Sequence, residues 1–109
     1  MKTIAVADFA ARLHEGAQAF DTRPLAQYEQ DALPGAHHLS LEGVQAGQLP
    51  DLALDKPVYL ICERGLMSDL VALYLEAAGF SEVYNVAGGM VAWRRAQLEL
   101  SEPQATTEP

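Results

Sequence analysis

The one cysteine of the chain, Cys62, stands where a short apolar run gives way to a glycine-containing loop. Val58–Ile61, directly before it, is a continuous apolar run of the kind that forms a strand covered on both faces. Ser68 and Asp69 open a helical pattern a few residues later. Ligands of a doubly wound sheet bind outside the carboxyl ends of its strands, so this arrangement predicts a binding site at Cys62.

The loop after Cys62 has the features that a thiol nucleophile needs. Successive backbone N–H groups can converge on an anion, and the positive end of a helix beginning near Ser68 adds to their effect. Both stabilise the thiolate, which is the reactive form of cysteine. A lone cysteine is most often a small buried hydrophobe, but its position between a strand and a helix favours the nucleophile. The predicted binding loop consists of Glu63, Arg64, Gly65, Leu66, Met67 and Ser68.

The elements that would position this loop alternate along the chain. Helical patterns extend over residues 8–13, 24–30, 41–46, 68–78 and 90–98, and strand patterns over 17–20, 37–39, 58–61 and 83–86. Strands alternating with helices at this spacing predict an α/β fold with a parallel sheet. We expect residues 1–100 to form one domain and residues 101–109 to form a flexible acidic tail.

The composition argues against several classes of partner. The chain has 109 residues, of which 15 are acidic and 7 basic, so its net charge is −8. This balance argues against nucleic acid, whose affinity comes largely from Lys and Arg, and against an anionic membrane surface. No secretory pattern and no membrane-spanning apolar stretch is present in the sequence. We therefore expect a cytoplasmic protein whose thiol stays reduced.

Several segments, in the correct order, resemble the rhodanese (sulfurtransferase) family. They are similar to its Asp-x-Arg segment, its Ile-Pro-Gly-Ala turn, its cysteine strand and loop, its closing strand and its Gly-Gly-x-x-x-Trp helix. The matching segments are Phe20–Arg23, Leu33–Ala36, Val58–Ser68, Ala78–Phe80, Val83–Val86 and Gly88–Trp93.

The resemblance implies a five-stranded, mostly parallel sheet with helices on both faces. It implies that Cys62 takes a sulfane sulfur from thiosulfate or a persulfide, becomes a persulfide, and passes the sulfur to cyanide, a thiol or a protein. The N–H groups of residues 63–68 would hold the outer sulfur, with the Ser68 hydroxyl as a donor or as the helix cap. The reaction needs no metal or organic cofactor. Because no second cysteine is present, an outside acceptor would have to discharge the persulfide.

Two loop positions depart from the family pattern. Many members that use thiosulfate have arginine where this chain has Glu63 and Met67. A carboxylate beside the thiolate repels a dianion, which predicts poor use of thiosulfate and a preference for a neutral or protein-bound persulfide. Glu63 faces either the pocket or solvent, and Arg64 is either a substrate-binding or loop-stabilising cation or an exposed charge. Asp31 stands where the family often has glycine.

Asp21 and Arg23 are predicted to support the site. They would form a structural charge pair or brace the loop, with substrate contact as the remaining alternative. His37 and His38 would point to opposite faces of a strand, and His14 lies on a separate helix, so no metal site is predicted.

Two other functions compete with sulfur transfer. The fold could serve as a binding or regulatory module with weak catalysis, although the retained Cys62 counts against that. A cysteine phosphatase or arsenate reductase could share the general fold. Phosphatases of that kind need an arginine six positions after the cysteine, where this chain has Ser68. The sequence leaves the oligomeric state open.

Overall fold

The computed structural model describes residues 1–101, and the side chains of residues 1–97. Residues 102–109, which make up nearly all of the expected tail, lie outside the described residues, and Ser101 ends a helix. The strands are β1 (Lys2–Ile4), β2 (Ala19–Asp21), β3 (His37–His38), β4 (Val58–Ile61) and β5 (Val83–Val86). The helices are α1 (Val6–His14), α2 (Leu25–Asp31), α3 (Leu41–Gln45), α4 (Met67–Ala77) and α5 (Gly89–Ser101).

The strands form one sheet in the order β1-β5-β4-β2-β3, and every pair is parallel. The predicted five-stranded sheet is therefore confirmed. The apolar pattern had indicated only four of its strands. It missed β1 because this strand is three residues long and lies at an edge, where its residues are exposed or half-buried.

Alternate residues of the central strand β4 supply two separate cores. Val58 and Leu60 pack on one face with apolar residues of α3 and α4. Tyr59 and Ile61 pack on the other face with Phe9 of α1 and apolar residues of α5. All four strand residues are buried, as a continuous apolar run requires when both faces of a sheet are covered. The helices thus lie on both faces, as expected.

One helix has a side-chain cap at its N-terminus. Ser40 caps α3, since its Oγ accepts a hydrogen bond of 2.9 Å from the Gly43 N–H. No helix within the described residues is both long and apolar enough to cross a bilayer.

Candidate active site

A crevice forms where the strand order reverses. From the neighbouring strands β2 and β4, the sheet continues to β3 on one side and to β5 on the other. Loops that leave such a pair at the carboxyl ends diverge, and ligands bind between them. The cavity at this point has a volume of about 260 Å³ and is lined by Arg23, Pro24, Gln27, Cys62, Glu63, Arg64, Leu66 and Met67. Every residue of the predicted loop except Gly65 and Ser68 therefore lines it.

Cys62 is 2% exposed and lies at the floor of the loop. Its Sγ accepts a hydrogen bond from the backbone N–H of Gly65, with a distance of 3.0 Å between nitrogen and sulfur. Gly65 has a φ of +95°, which glycine adopts without steric cost, and this turns the chain back toward the sulfur. The loop thus points a backbone hydrogen-bond donor at the sulfur, and such a donor binds a charged acceptor more strongly than a neutral one.

Ser68 links the end of the loop to a neighbouring segment of the chain. Of the two roles predicted for its hydroxyl, the helix cap is wrong, because α4 begins at Met67 with Leu66 as its N-cap, and Ser68 lies inside the first turn. Its side chain is fully buried, and its Oγ lies 3.1 Å from Thr22 Oγ1. Thr22 is also bound through its backbone N–H to the Ile61 carbonyl. The two hydroxyls therefore join the start of α4 to the segment after β2.

The first turn of α5 holds the other side of the loop. The N–H of Met90 donates to the Cys62 carbonyl at 2.8 Å, and the N–H of Val91 donates to the Glu63 carbonyl at 3.0 Å. The first N–H groups of a helix have no partner inside it, so these two carbonyls satisfy them. Gly89 lets the two backbones approach, because a Cβ there would lie 2.2 Å from the Cys62 carbonyl oxygen.

Asn85 of β5 anchors the turn at Gly65. Its Nδ2 donates to the Gly65 carbonyl and to Asp69 Oδ1, both at 2.7 Å. The side chain is buried, and its Oδ1 has no hydrogen-bond partner among the described residues. The two donated bonds alone therefore fix the amide, which ties the loop to the sheet and to the first turn of α4.

Replacing Asn85 by alanine is expected to loosen this loop. The substitution leaves the Gly65 carbonyl without its donor, and losing a buried hydrogen bond of this kind costs about 1–3 kcal/mol. Asn85→Asp should cost more, since it places a second carboxylate against Asp69. The free energy of unfolding, measured by urea titration, checks both values. Gln45→Ala is the matched control, because that exposed amide donates to Tyr74 Oη, far from the loop. An Asn85→Ala protein as stable as Gln45→Ala would contradict the assignment.

Arg23 is buried in a charged cluster beside the cavity. Its Nε and Nη2 donate to Asp21, with the shortest distance at 2.9 Å, so the predicted charge pair is present. Its Nη1 donates to Asp31 at 2.9 Å and more weakly to Glu63 at 3.4 Å. Arg94 of α5 completes the cluster, because it donates to both carboxylate oxygens of Glu63 and to Asp31. We call Asp21, Arg23, Asp31, Glu63 and Arg94 the ionic cluster.

The cluster resolves the alternatives for Glu63 but not those for Arg64. Glu63 lines the cavity. The sequence had suggested a free negative charge at this position, but Arg94 and Arg23 bind the carboxylate. Arg64 lines the cavity as an exposed side chain. Neither the substrate-binding nor the loop-stabilising alternative for Arg64 is decided by this position, so both stay predictions.

The same contacts change the acid titration of the cluster. Hydrogen bonds from Arg94 lower the pKa of Glu63 below its usual 4.5 and that of Asp31 below its usual 3.8. Because these pKa values are lower in the folded state than in the unfolded state, they stabilise the fold above the usual values. That contribution is lost as the pH falls through the folded-state pKa values.

We therefore expect the free energy of unfolding to fall more steeply below about pH 4.5 in the wild type than in Arg94→Gln. Both carboxylates are partly exposed, so the difference is expected to be modest and to shrink with added salt. Chemical denaturation at several pH values between neutral and acid measures it. Identical acid limbs for the two proteins would contradict this role for Arg94.

Sequence reasoning missed several residues that build the site, namely Thr22, Asn85, Gly89 and Arg94. Thr22 lies between two residues that were identified, and Asn85 is the one polar residue of a strand run, so both had a local signal. Arg94 had none, because its partner Glu63 is distant in sequence. Asp31 was noted only as a departure from the family pattern, and like Glu63 it bonds to both arginines.

His37 and His38 pack against aromatic side chains outside the Cys62 loop. His37 stacks on Phe20, and His38 stacks on Tyr28 while its Nε2 lies 2.7 Å from the Arg23 carbonyl. A larger cavity of about 410 Å³ lies beside them, but neither Cys62 nor a residue of its loop lines it. Among the described residues, no three or more His, Cys, Asp or Glu side chains are arranged so that they could hold a metal ion.

The comparisons with known proteins agree with this geometry. The family model described as Rhodanese-like domain matches residues 5–96. A relative from Pseudomonas syringae, the thiosulfate sulfurtransferase GlpE, is 36% identical over 80 residues, which cover 73% of this chain and 74% of the relative. The crystal structure of a rhodanese-like domain protein from Staphylococcus aureus aligns with a TM-score of 0.75 at 29% identity, covering 85% of this chain and 91% of that one.

A more distant structure agrees in fold. The human single-domain sulfurtransferase TSTD1 aligns with a TM-score of 0.79 at 17% identity, over 87% of this chain and 96% of that chain. The chain belongs to the rhodanese-like domain family. Within that family it is a rhodanese-type sulfurtransferase.

Proposed function

We propose that this protein transfers sulfane sulfur through a persulfide formed on Cys62. The observation that carries the proposal is the Gly65 N–H, 3.0 Å from Cys62 Sγ, in a loop that lines a cavity at the strand-order reversal. A thiolate needs stabilisation of this kind to be present at neutral pH, and it needs an open side from which a donor approaches. The names of the relatives supply the donor class, since several are thiosulfate sulfurtransferases.

In the first half of the reaction, the Cys62 thiolate attacks the outer sulfur of the donor. With thiosulfate, the new bond joins Cys62 Sγ to that sulfur, the sulfur–sulfur bond of the donor breaks, and sulfite leaves with the electron pair. The charges balance, because a thiolate and a dianion become a persulfide anion and a sulfite dianion. The loop N–H groups would then stabilise the terminal sulfur of the persulfide.

In the second half, an acceptor attacks the terminal sulfur and Cys62 leaves as a thiolate. Cyanide would become thiocyanate, and a thiolate acceptor would become a persulfide. The chain has no second cysteine, so the acceptor comes from outside it. We therefore propose a small thiol, cyanide or a protein thiol as the acceptor, and a reducing compartment such as the cytoplasm as the place of the reaction. The proposed mechanism uses neither a metal nor an organic cofactor.

Intact mass measurement after incubation with a donor tests the proposal. The wild type is expected to gain the mass of one sulfur atom with thiosulfate or an organic persulfide, and to lose it again when cyanide is added. Cys62→Ser is the control and should gain nothing. If no donor adds sulfur to the wild type, or if Cys62→Ser gains as much, the proposed mechanism is wrong.

The geometry does not favour phosphoryl transfer. At the position of the phosphatase arginine the chain has Ser68, which is buried and bonded to Thr22. Arg23 is engaged with Asp21 and Asp31, so it is not available to clamp a phosphoryl group with two parallel hydrogen bonds.

A further inference from the structure

Glu63 creates an electrostatic problem for the proposed reaction. It follows Cys62 directly and lines the same cavity, so its negative charge stands near the path of any donor. Thiosulfate carries two negative charges, and like charges at short range repel each other. A free carboxylate at this position would lower the local concentration of an anionic donor.

Arg94 offsets that charge in a specific geometry. Its Nη1 donates to Glu63 Oε2 at 2.7 Å, and its Nη2 donates to Glu63 Oε1 at 3.2 Å, which is a two-point contact between planar groups. Nη2 also donates to Asp31 Oδ2 at 2.8 Å. The contact therefore fixes the direction of the Glu63 side chain as well as its charge.

Arg23 cannot replace Arg94 in this role. It is almost fully buried, and three of its donated hydrogen bonds go to the Asp21 carboxylate. Its hydrogen bond to Glu63, at 3.4 Å, is the longest that its side chain donates within the described residues. The ionic cluster contains three carboxylates and two guanidinium groups, so its net charge is −1. Without Arg94 the net charge at the edge of the cavity would be −2.

We propose that Arg94 is a positioning residue that determines donor specificity, because it neutralises and orients Glu63 and so keeps the Cys62 cavity open to anionic sulfur donors. The proposal rests on the proposed function for its biological meaning. It reverses the expectation from sequence that Glu63 makes thiosulfate a poor donor. Poor use of thiosulfate is instead expected of a variant that lacks Arg94.

The single cysteine allows this charge effect to be measured without sulfur transfer. Iodoacetate and iodoacetamide alkylate the same thiolate, but only iodoacetate is an anion. The ratio of the two alkylation rates cancels differences in thiolate fraction and in access, so it reports the electrostatic potential at Cys62. A change of one unit charge within about 8 Å shifts such a ratio by about threefold at low salt, and less at high salt.

Two substitutions, made singly and together, have opposite or cancelling expected effects on this ratio. Arg94→Gln should lower the iodoacetate-to-iodoacetamide ratio by about threefold, and Glu63→Gln should raise it by about the same factor. The double variant should return to near the wild-type value, since one charge of each sign is removed. Arg95→Gln is the matched control, because Arg95 is an exposed arginine on the same helix outside the ionic cluster. It should leave the ratio nearly unchanged.

A second measurement uses two sulfur donors that differ by one charge. Methanethiosulfonate carries the same outer sulfur as thiosulfate, but a methyl group replaces one charged oxygen. Arg94→Gln should reduce kcat/KM for thiosulfate about threefold more than for methanethiosulfonate. A general loss of structure would reduce both equally.

The outcomes separate the two proposals. If the wild type accepts sulfur from neither of these donors nor from an organic persulfide, the proposed function fails, while the alkylation ratio still decides the role of Arg94. If Arg94→Gln changes the ratio no more than Arg95→Gln does, or if Glu63→Gln fails to raise it, the inference about Arg94 is overturned.

Discussion

Cys62→Ser is expected to abolish sulfur transfer, with thiocyanate formation from thiosulfate and cyanide falling at least about a thousandfold. A serine hydroxyl stays protonated at neutral pH, and it cannot form the sulfur–sulfur bond of a persulfide. The cavity and the N–H groups of the loop remain in the variant. Any residual rate therefore reflects what donor binding alone contributes. Steady-state measurement at saturating donor and cyanide gives the comparison.

The same variant should leave the fold nearly unchanged. Serine is close to cysteine in size, and its Oγ can accept the hydrogen bond that the Gly65 N–H now donates to sulfur. The free energy of unfolding is expected to stay within about 1 kcal/mol of the wild type. Thiocyanate formation above about one hundredth of the wild-type rate would show that Cys62 is not the sulfur carrier.

Gly89→Ala is expected to have the largest effect on stability and to damage the site as well. A Cβ at this residue would lie 2.2 Å from the Cys62 carbonyl oxygen and 2.7 Å from that of Glu63, and both are backbone atoms that cannot rotate away. The residue also has a φ of +56°, which costs alanine about 1 kcal/mol or more. We expect a loss of at least about 3 kcal/mol and a fall in Tm of more than about 10 °C.

Activity should fall with it, because relief of the contact moves the loop away from the first turn of α5. A displacement of about 1 Å at a reacting group can cost about a hundredfold in rate. Gly16→Ala separates the two causes, since Gly16 has a φ of +100° but open space around its Cβ position. It should carry the conformational cost alone and keep full activity. If the two variants behave alike in melting and in turnover, the close approach at Gly89 has no special importance.

The local features of the fold could be predicted from the sequence, and its long-range contacts could not. The apolar run before Cys62 and the helical pattern after the loop are both local signals. The first located the central strand and the second the helix that follows it, and the family resemblance implied the five-stranded sheet. The edge strand β1 has no such signal, because its pairing with β5 depends on residues more than eighty positions away.

In the site, too, the local features could be predicted and the long-range contacts could not. Cys62 and most of its loop were identified, since a strand, a glycine and a helix start occur within a few residues. The charge of Glu63 was misjudged because its partner, Arg94, lies on a later helix. The cap, one of two roles predicted for Ser68, was wrong because a serine near the start of a helix is ordinarily a cap, whereas here its hydroxyl contacts Thr22 in the segment after β2. These contacts exist only once the sheet has assembled.

The capping of the Cys62 and Glu63 carbonyls by α5 also bears on the order in which the site matures during synthesis. The ribosome releases Cys62 well before Gly89, Met90 and Arg94, so the emerging chain carries its thiol before it carries the groups that orient the loop around it. Until α5 docks, the loop lacks both its backbone anchor and the cation that neutralises Glu63. The proposed reactive centre is therefore completed only when α5, the last of the described elements to be synthesised, docks against the loop.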